Sequence, residues 1–182
     1  MGIKKTTVSF SLALIATFLL ISTGTATATA KSAAVSPFCT TANNKVLCTK
    51  MVRGAKTWEQ AMTNAINSAM VKAKTGKAIA DGVGPKLPKN LLPQSKASIL
   101  DSCNGAYDRI IYYLEQALVY VKDDPTSLRS CFSSVSFWEC KFGLEEFEIT
   151  IPEVNRFYQE INQRSSVLLS VLEKMPGNNL IY

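Results

Sequence analysis

A chain of 182 residues with no histidine and a formal net charge of +6 lacks the side chain that most often acts as general base near neutral pH, which is also the commonest nitrogen ligand of zinc. A Ser-His-Asp or Cys-His site cannot be built from it. The positive charge is carried by scattered lysines with few arginines, without the dense stripe or recognisable module that a nucleic-acid reader needs.

Carboxylates do occur side by side, as Asp123-Asp124 and Glu145-Glu146. Neighbours in sequence do not face each other across a cleft, so both pairs read as solvated surface. The expectation is a chain with no catalytic residue, no metal and no cofactor.

The first thirty residues have the layout of a secretory signal peptide: Lys4 and Lys5, an apolar run from Val8 to Ile21, and small residues ending in Ala28-Thr29-Ala30. The run is shorter than the roughly 20 apolar residues a helix needs to cross a bilayer, so cleavage after Ala30 is expected and a membrane anchor is not. Without the two leader lysines the net charge falls from +6 to +4. Residues 31–182 then suffice for one domain with its own core.

Apolar residues in that domain recur at helical spacing. Thr57 and Gln60 form a capping box ahead of a first stripe of Trp58, Ala61, Met62, Ala65, Ile66, Ala69, Met70 and Ala73. From Gly76 to Pro93 the pattern dissolves into Gly82-Val83-Gly84-Pro85 and Pro88 with several lysines, which reads as a loop. A second helix spans about Ser95 to Lys122, with Ile99, Cys103, Ala106, Ile110, Leu114, Ala117 and Val121 on its apolar side.

A third helix opens at Asp124-Pro125, an acidic cap before a proline at the first helical position. Leu128, Cys131, Phe132, Val135, Trp138 and Phe142 mark its apolar side as one continuous helix. A fourth follows a second capping box, Thr150 to Glu153, and carries Val154, Phe157, Ile161, Leu168, Val171 and Met175 until Pro176-Gly177 stops it. The fold expected is all-α: an up-down-up-down four-helix bundle over residues 57–176.

Five cysteines, at 39, 48, 103, 131 and 140, imply two bridges and one free thiol in an oxidising compartment. A bridge needs Cα atoms within about 7 Å, whereas nine residues of straight helix rise about 13.5 Å. Cys131 and Cys140, both on the third helix, should therefore not pair. Cys39 and Cys48 can pair if the chain reverses at Asn43-Asn44, which makes residues 36–53 a short helical hairpin ahead of the bundle. Cys103 then joins Cys131 or Cys140, tying the second helix to the third. In the chain-entropy account, closing that longer loop stabilises by about 4 kcal/mol and the hairpin bridge by about 2.7 kcal/mol.

The leader, the Cys39-x8-Cys48 pair, a helix carrying Leu100-Asp101-Ser102-Cys103 with Tyr107 a turn later, and Cys140 before a short linker and a last amphipathic helix together resemble the plant invertase and pectin methylesterase inhibitor family. The resemblance covers the whole of residues 31–182. It implies bridges Cys39–Cys48 and Cys103–Cys140, with Cys131 as an unpaired extra that reads as a buried, inert thiol.

It also implies function. Members cap the active-site cleft of pectin methylesterase or of acid invertase, so this chain is expected to be a secreted inhibitor in the plant cell wall, or apoplast. The invertase inhibitors' Pro-Lys-Phe type motif has no counterpart in the linker Glu148 to Glu153. That makes pectin methylesterase the first expected partner and acid invertase the alternative. On this reading the polar positions of the third helix, Arg129, Ser133, Ser136, Glu139 and Lys141, meet the target. Glu139 stands where pectin methylesterase inhibitors commonly have Thr. A further alternative is a non-inhibitory bundle that holds acidic wall polysaccharide through Lys72, Lys74, Lys77, Lys86, Lys89 and Lys96.

Overall fold

The computed structural model describes residues 34–177, and the leader expected over residues 1–30 lies outside them. Every regular element among the described residues is helical. None of these helices is long and apolar enough to cross a membrane.

The chain enters through a 3-10 turn at Pro37–Cys39, reverses, and forms α1 (Lys45–Met51). The reversal is set at Asn44, whose side-chain oxygen accepts from the Leu47 N–H at 3.0 Å and satisfies a donor that the first turn leaves open. Cys39 and Cys48 are bridged across it, with Cα atoms 5.7 Å apart. The expected hairpin is present.

α2 (Trp58–Lys74) begins at Thr57, whose hydroxyl accepts from the Gln60 N–H at 3.3 Å, while the Gln60 side chain accepts from the Lys56 N–H at 2.9 Å. All eight residues of the first stripe are buried. Trp58 keeps its indole N–H satisfied by donating to the Val171 carbonyl at 2.9 Å, which burial of a tryptophan requires.

The segment from Gly76 to Pro93 is not the open loop its composition suggests. It holds α3 (Gly76–Asp81) and a 3-10 turn at Gly84–Lys86. Ala80, Val83 and Leu87 are buried and pin it to the bundle. Gly76 makes this possible, because its missing side chain leaves room for the Phe157 ring.

α4 (Pro93–Asp123) is one unbroken helix with the expected face inward. The third member of the bundle differs from expectation, being split into a 3-10 turn at Pro125–Ser127, α5 (Leu128–Ser133) and α6 (Trp138–Glu145). Val135 and Phe137 are both buried. Residues two apart point to opposite sides of a helix, so burying both requires the chain to leave helical geometry between them. The serines ease the break. Ser133 and Ser134 turn their hydroxyls back onto the carbonyls of Arg129 and Ser130, at 2.9 and 3.1 Å, a bond that competes with the helix's own ladder. The break also rephases α6, leaving Trp138 and Phe142 46% and 43% exposed while Phe137 is fully buried.

Two caps also differ. Asp124 binds the hydroxyls of Thr126 and Ser127 and makes no side-chain bond to a backbone N–H of the turn it precedes. α7 (Pro152–Leu172) has no capping box: buried Ile151 occupies the cap position, and Glu153 pairs with Lys86.

Helix directions follow from cross-contacts. Trp58 meets Val171 and Lys72 meets Glu160, so α2 and α7 run antiparallel. Phe132 meets Ser165 and Ser136 meets Asn162, which sets α5 and α6 against α7. Cys103 meets Cys140 and Arg109 meets Glu139, which sets α4 against α6. With α2 also packed on α4, these relations are consistent with the expected up-down-up-down order.

Candidate protein-binding face

The second bridge, Cys103–Cys140, joins α4 to the first turn of α6 with Cα atoms 4.1 Å apart. Cys131 stays free and buried on α5. Cys131 and Cys140 are unpaired with each other as expected, although the helix expected to hold them apart is in fact broken.

Holding α4 and α6 together at Cys103 and Cys140 positions the residues beside them. Arg109, two turns along α4, places Nη2 2.9 Å from Oε1 of Glu139. Both side chains are nearly half exposed, 46% and 44%, and an ion pair that open contributes about 0–1 kcal/mol to stability. It brings the two opposite charges together on the face that the bridge holds.

The pair sits in a shallow groove of about 320 Å³ lined by Arg109 and Tyr113 from α4, Ser133 from the end of α5, Ser134 and Ser136 from the break, and Trp138 and Glu139 from α6. Ser136 is held from both sides. Its hydroxyl donates to Asn162 on α7 at 3.3 Å and accepts from the Trp138 N–H at 3.2 Å, which orients the start of α6. Trp138 stacks on Phe142, with ring centroids 4.6 Å apart, leaving a flat aromatic surface at the groove's edge.

Of the five polar positions expected to act together, the structure gathers Ser133, Ser136 and Glu139. Lys141 is not with them: it pairs with Glu145 and lies 5.5 Å from the Tyr158 ring centroid. Arg129 is exposed on α5 and lies outside the groove lining. Reading the third helix as continuous put all five on one element, and the break separates them. Arg109, Tyr113 and Trp138 were missed. Arg109 and Tyr113 are four apart on one helix and so share a face; that spacing was visible, but nothing in it pointed toward Glu139.

Half of the six lysines grouped as a polyanion site are paired with carboxylates. Lys72 pairs with Glu160, Lys77 with Asp81 and Lys86 with Glu153, while Lys96 donates to the Lys89 carbonyl. These three ion pairs offset part of the positive charge, while Lys74, Lys89 and Lys96 make no ion pair among the described residues.

Comparison of the chain with protein-family models, with curated proteins and with solved structures found no match.

Proposed function

We propose that the protein is a secreted inhibitor that seats the α4–α6 face in the active-site cleft of a pectin methylesterase of the plant cell wall. The observation that carries the reading is the Arg109–Glu139 pair, held beside exposed Trp138 on two disulfide-joined helices. A carboxylate at position 139 would be repelled by an acidic cleft. With Arg109 at 2.9 Å the face carries a compensated pair, which removes the repulsion and leaves directional hydrogen bonding.

Other features support it. Trp and Arg are the residue types that most often dominate protein interfaces. A bridged helix pair loses little freedom on docking, which favours affinity. Two disulfides belong to an oxidising compartment, consistent with the secretory leader read over residues 1–30.

Titrating the disulfide-bonded protein into a pectin methylesterase assay tests the reading. Stoichiometric loss of de-esterification is expected, with Trp138→Ala weakening it by roughly thirtyfold, the size of an interface anchor of about 2 kcal/mol. Full esterase activity at micromolar excess of the protein would sink the proposal.

A further inference from the structure

A second concavity, of about 370 Å³, lies where the N-terminal hairpin meets α7. Its lining includes Asn43 and Asn44 from the hairpin's reversal and Tyr158, Gln159, Asn162 and Gln163 from α7. Ser136–Asn162 is a hydrogen bond linking the two grooves, yet they share no lining residue. The feature therefore stands apart from the proposed inhibitory face.

Its chemistry is unusual for a surface of this protein. Five carboxamide side chains converge, and no ionisable acid or base other than the Tyr158 phenol lines the space, on a chain whose formal net charge is +6. On α7 the spacing of Gln159, Asn162 and Gln163 puts all three on one face. Intramolecular bonds take little of this capacity. Asn44 uses its oxygen for the Leu47 N–H and Asn162 its oxygen for the Ser136 hydroxyl. Among the described residues, the side chains of Asn43, Gln159 and Gln163 make no protein hydrogen bond. Each carboxamide offers two donors and an acceptor in one plane.

A ligand complementary to this lining is uncharged, carries many paired donors and acceptors, and has an apolar face to lay on a tyrosine. No cation lines the groove, and the one beside it, Lys141 over the Tyr158 ring, is already paired with Glu145, so a phosphate or carboxylate has no free positive charge in the lining to bind. An apolar peptide would leave the amides without partners at a cost of about 1–3 kcal/mol each. Pyranose rings with adjacent equatorial hydroxyls meet all three requirements: neighbouring hydroxyls match an amide's donor and acceptor, and the ring's C–H face packs on an aromatic. The size suits a short stretch of chain, lying in the roughly 300–1,000 Å³ span of ligand sites. We propose that the groove between the hairpin and α7 binds a neutral oligosaccharide of equatorial pyranoses.

The test uses the 15N-labelled protein with both disulfides formed, titrated separately with cellohexaose, xylohexaose and hexagalacturonic acid. Saturable shifts of the side-chain amide signals of Asn43, Asn44, Gln159 and Gln163 with either neutral sugar are expected, with dissociation constants near or below about 1 mM. Gln159→Ala combined with Gln163→Ala should weaken that binding at least tenfold and leave the thermal midpoint unchanged, because alanine is favoured at exposed helix positions. No saturable shift with either neutral sugar at about 10 mM, preference for the galacturonide, or undiminished binding by the double variant would each overturn the proposal.

Discussion

Gly76 packs directly beneath the ring of Phe157: a Cβ at position 76 would stand 2.7 Å from Cε1 of the ring, inside any tolerable contact. This single approach seats α3 against α7. Gly76→Ala must push a fully packed ring aside, and overpacking of this kind costs about 1–3 kcal/mol. Urea unfolding should show a lower midpoint with an unchanged slope. Adding Phe157→Leu should cost less in the Gly76→Ala background than in the native chain, and a double-mutant cycle reads that coupling directly.

The break in the third bundle member makes a paired prediction. Phe137 is fully buried and meets Phe157 edge-on, with centroids 4.9 Å apart, so Phe137→Ala should destabilise by about 3–5 kcal/mol. Trp138→Ala, next in sequence, removes a half-exposed ring whose contribution is chiefly its stacking on Phe142, and should cost at most about 1.5 kcal/mol. Equal losses in chemical denaturation would contradict the rephasing of α6.

Cys131 is 3% exposed, and burial raises the pKa of its thiol above the ordinary value. The reactive thiolate is correspondingly scarce. A thiol reagent such as Ellman's should find no reactive group in the native protein near pH 8 and one per chain in denaturant. Rapid native labelling would show that α5 opens.

Acidification should weaken the fold through three carboxylates. The hydroxyls of Ser127 and Thr126 hold Asp124 below its ordinary value, the Lys86 ammonium does the same for Glu153, and backbone and Thr57 bonds do so for Glu59. A group with a depressed folded pKa binds protons more readily when unfolded. Its contribution is therefore complete above the ordinary values, 3.8 for Asp and 4.5 for Glu, and is lost as the pH falls through the lower folded values. Thermal midpoints should hold from neutrality to about pH 5 and then decline, and Asp124→Asn should make the decline shallower.

Much of this was legible in the residues because periodicity reports burial. The α2 stripe, the inward face of α4 and the hairpin at Asn43-Asn44 are where their spacing puts them. The break at Ser134–Phe137 was not, since Val135 and Trp138 continue a helical period on paper. Only the choice between burying Phe137 and burying Trp138 ends the helix, and that choice depends on Phe157 from a distant part of the chain. Charge pairing was likewise out of reach: Arg109 finds Glu139, and Lys86 finds Glu153, only once the helices are side by side. The candidate face was thus half read, its serines and Glu139 from one helix and its arginine and tryptophan from the folded arrangement.

The Cys103–Cys140 bridge spans the larger, C-terminal part of α4, all of α5 and the serine-rich break. A protease that cuts anywhere between those two cysteines therefore releases nothing, because the pieces on either side of the nick remain one covalent molecule. On a gel such a product should run as an intact chain until it is reduced and then fall into two fragments. In a protease-rich surrounding the α4–α6 face could be cleaved at its most irregular point and still be presented by a single molecule.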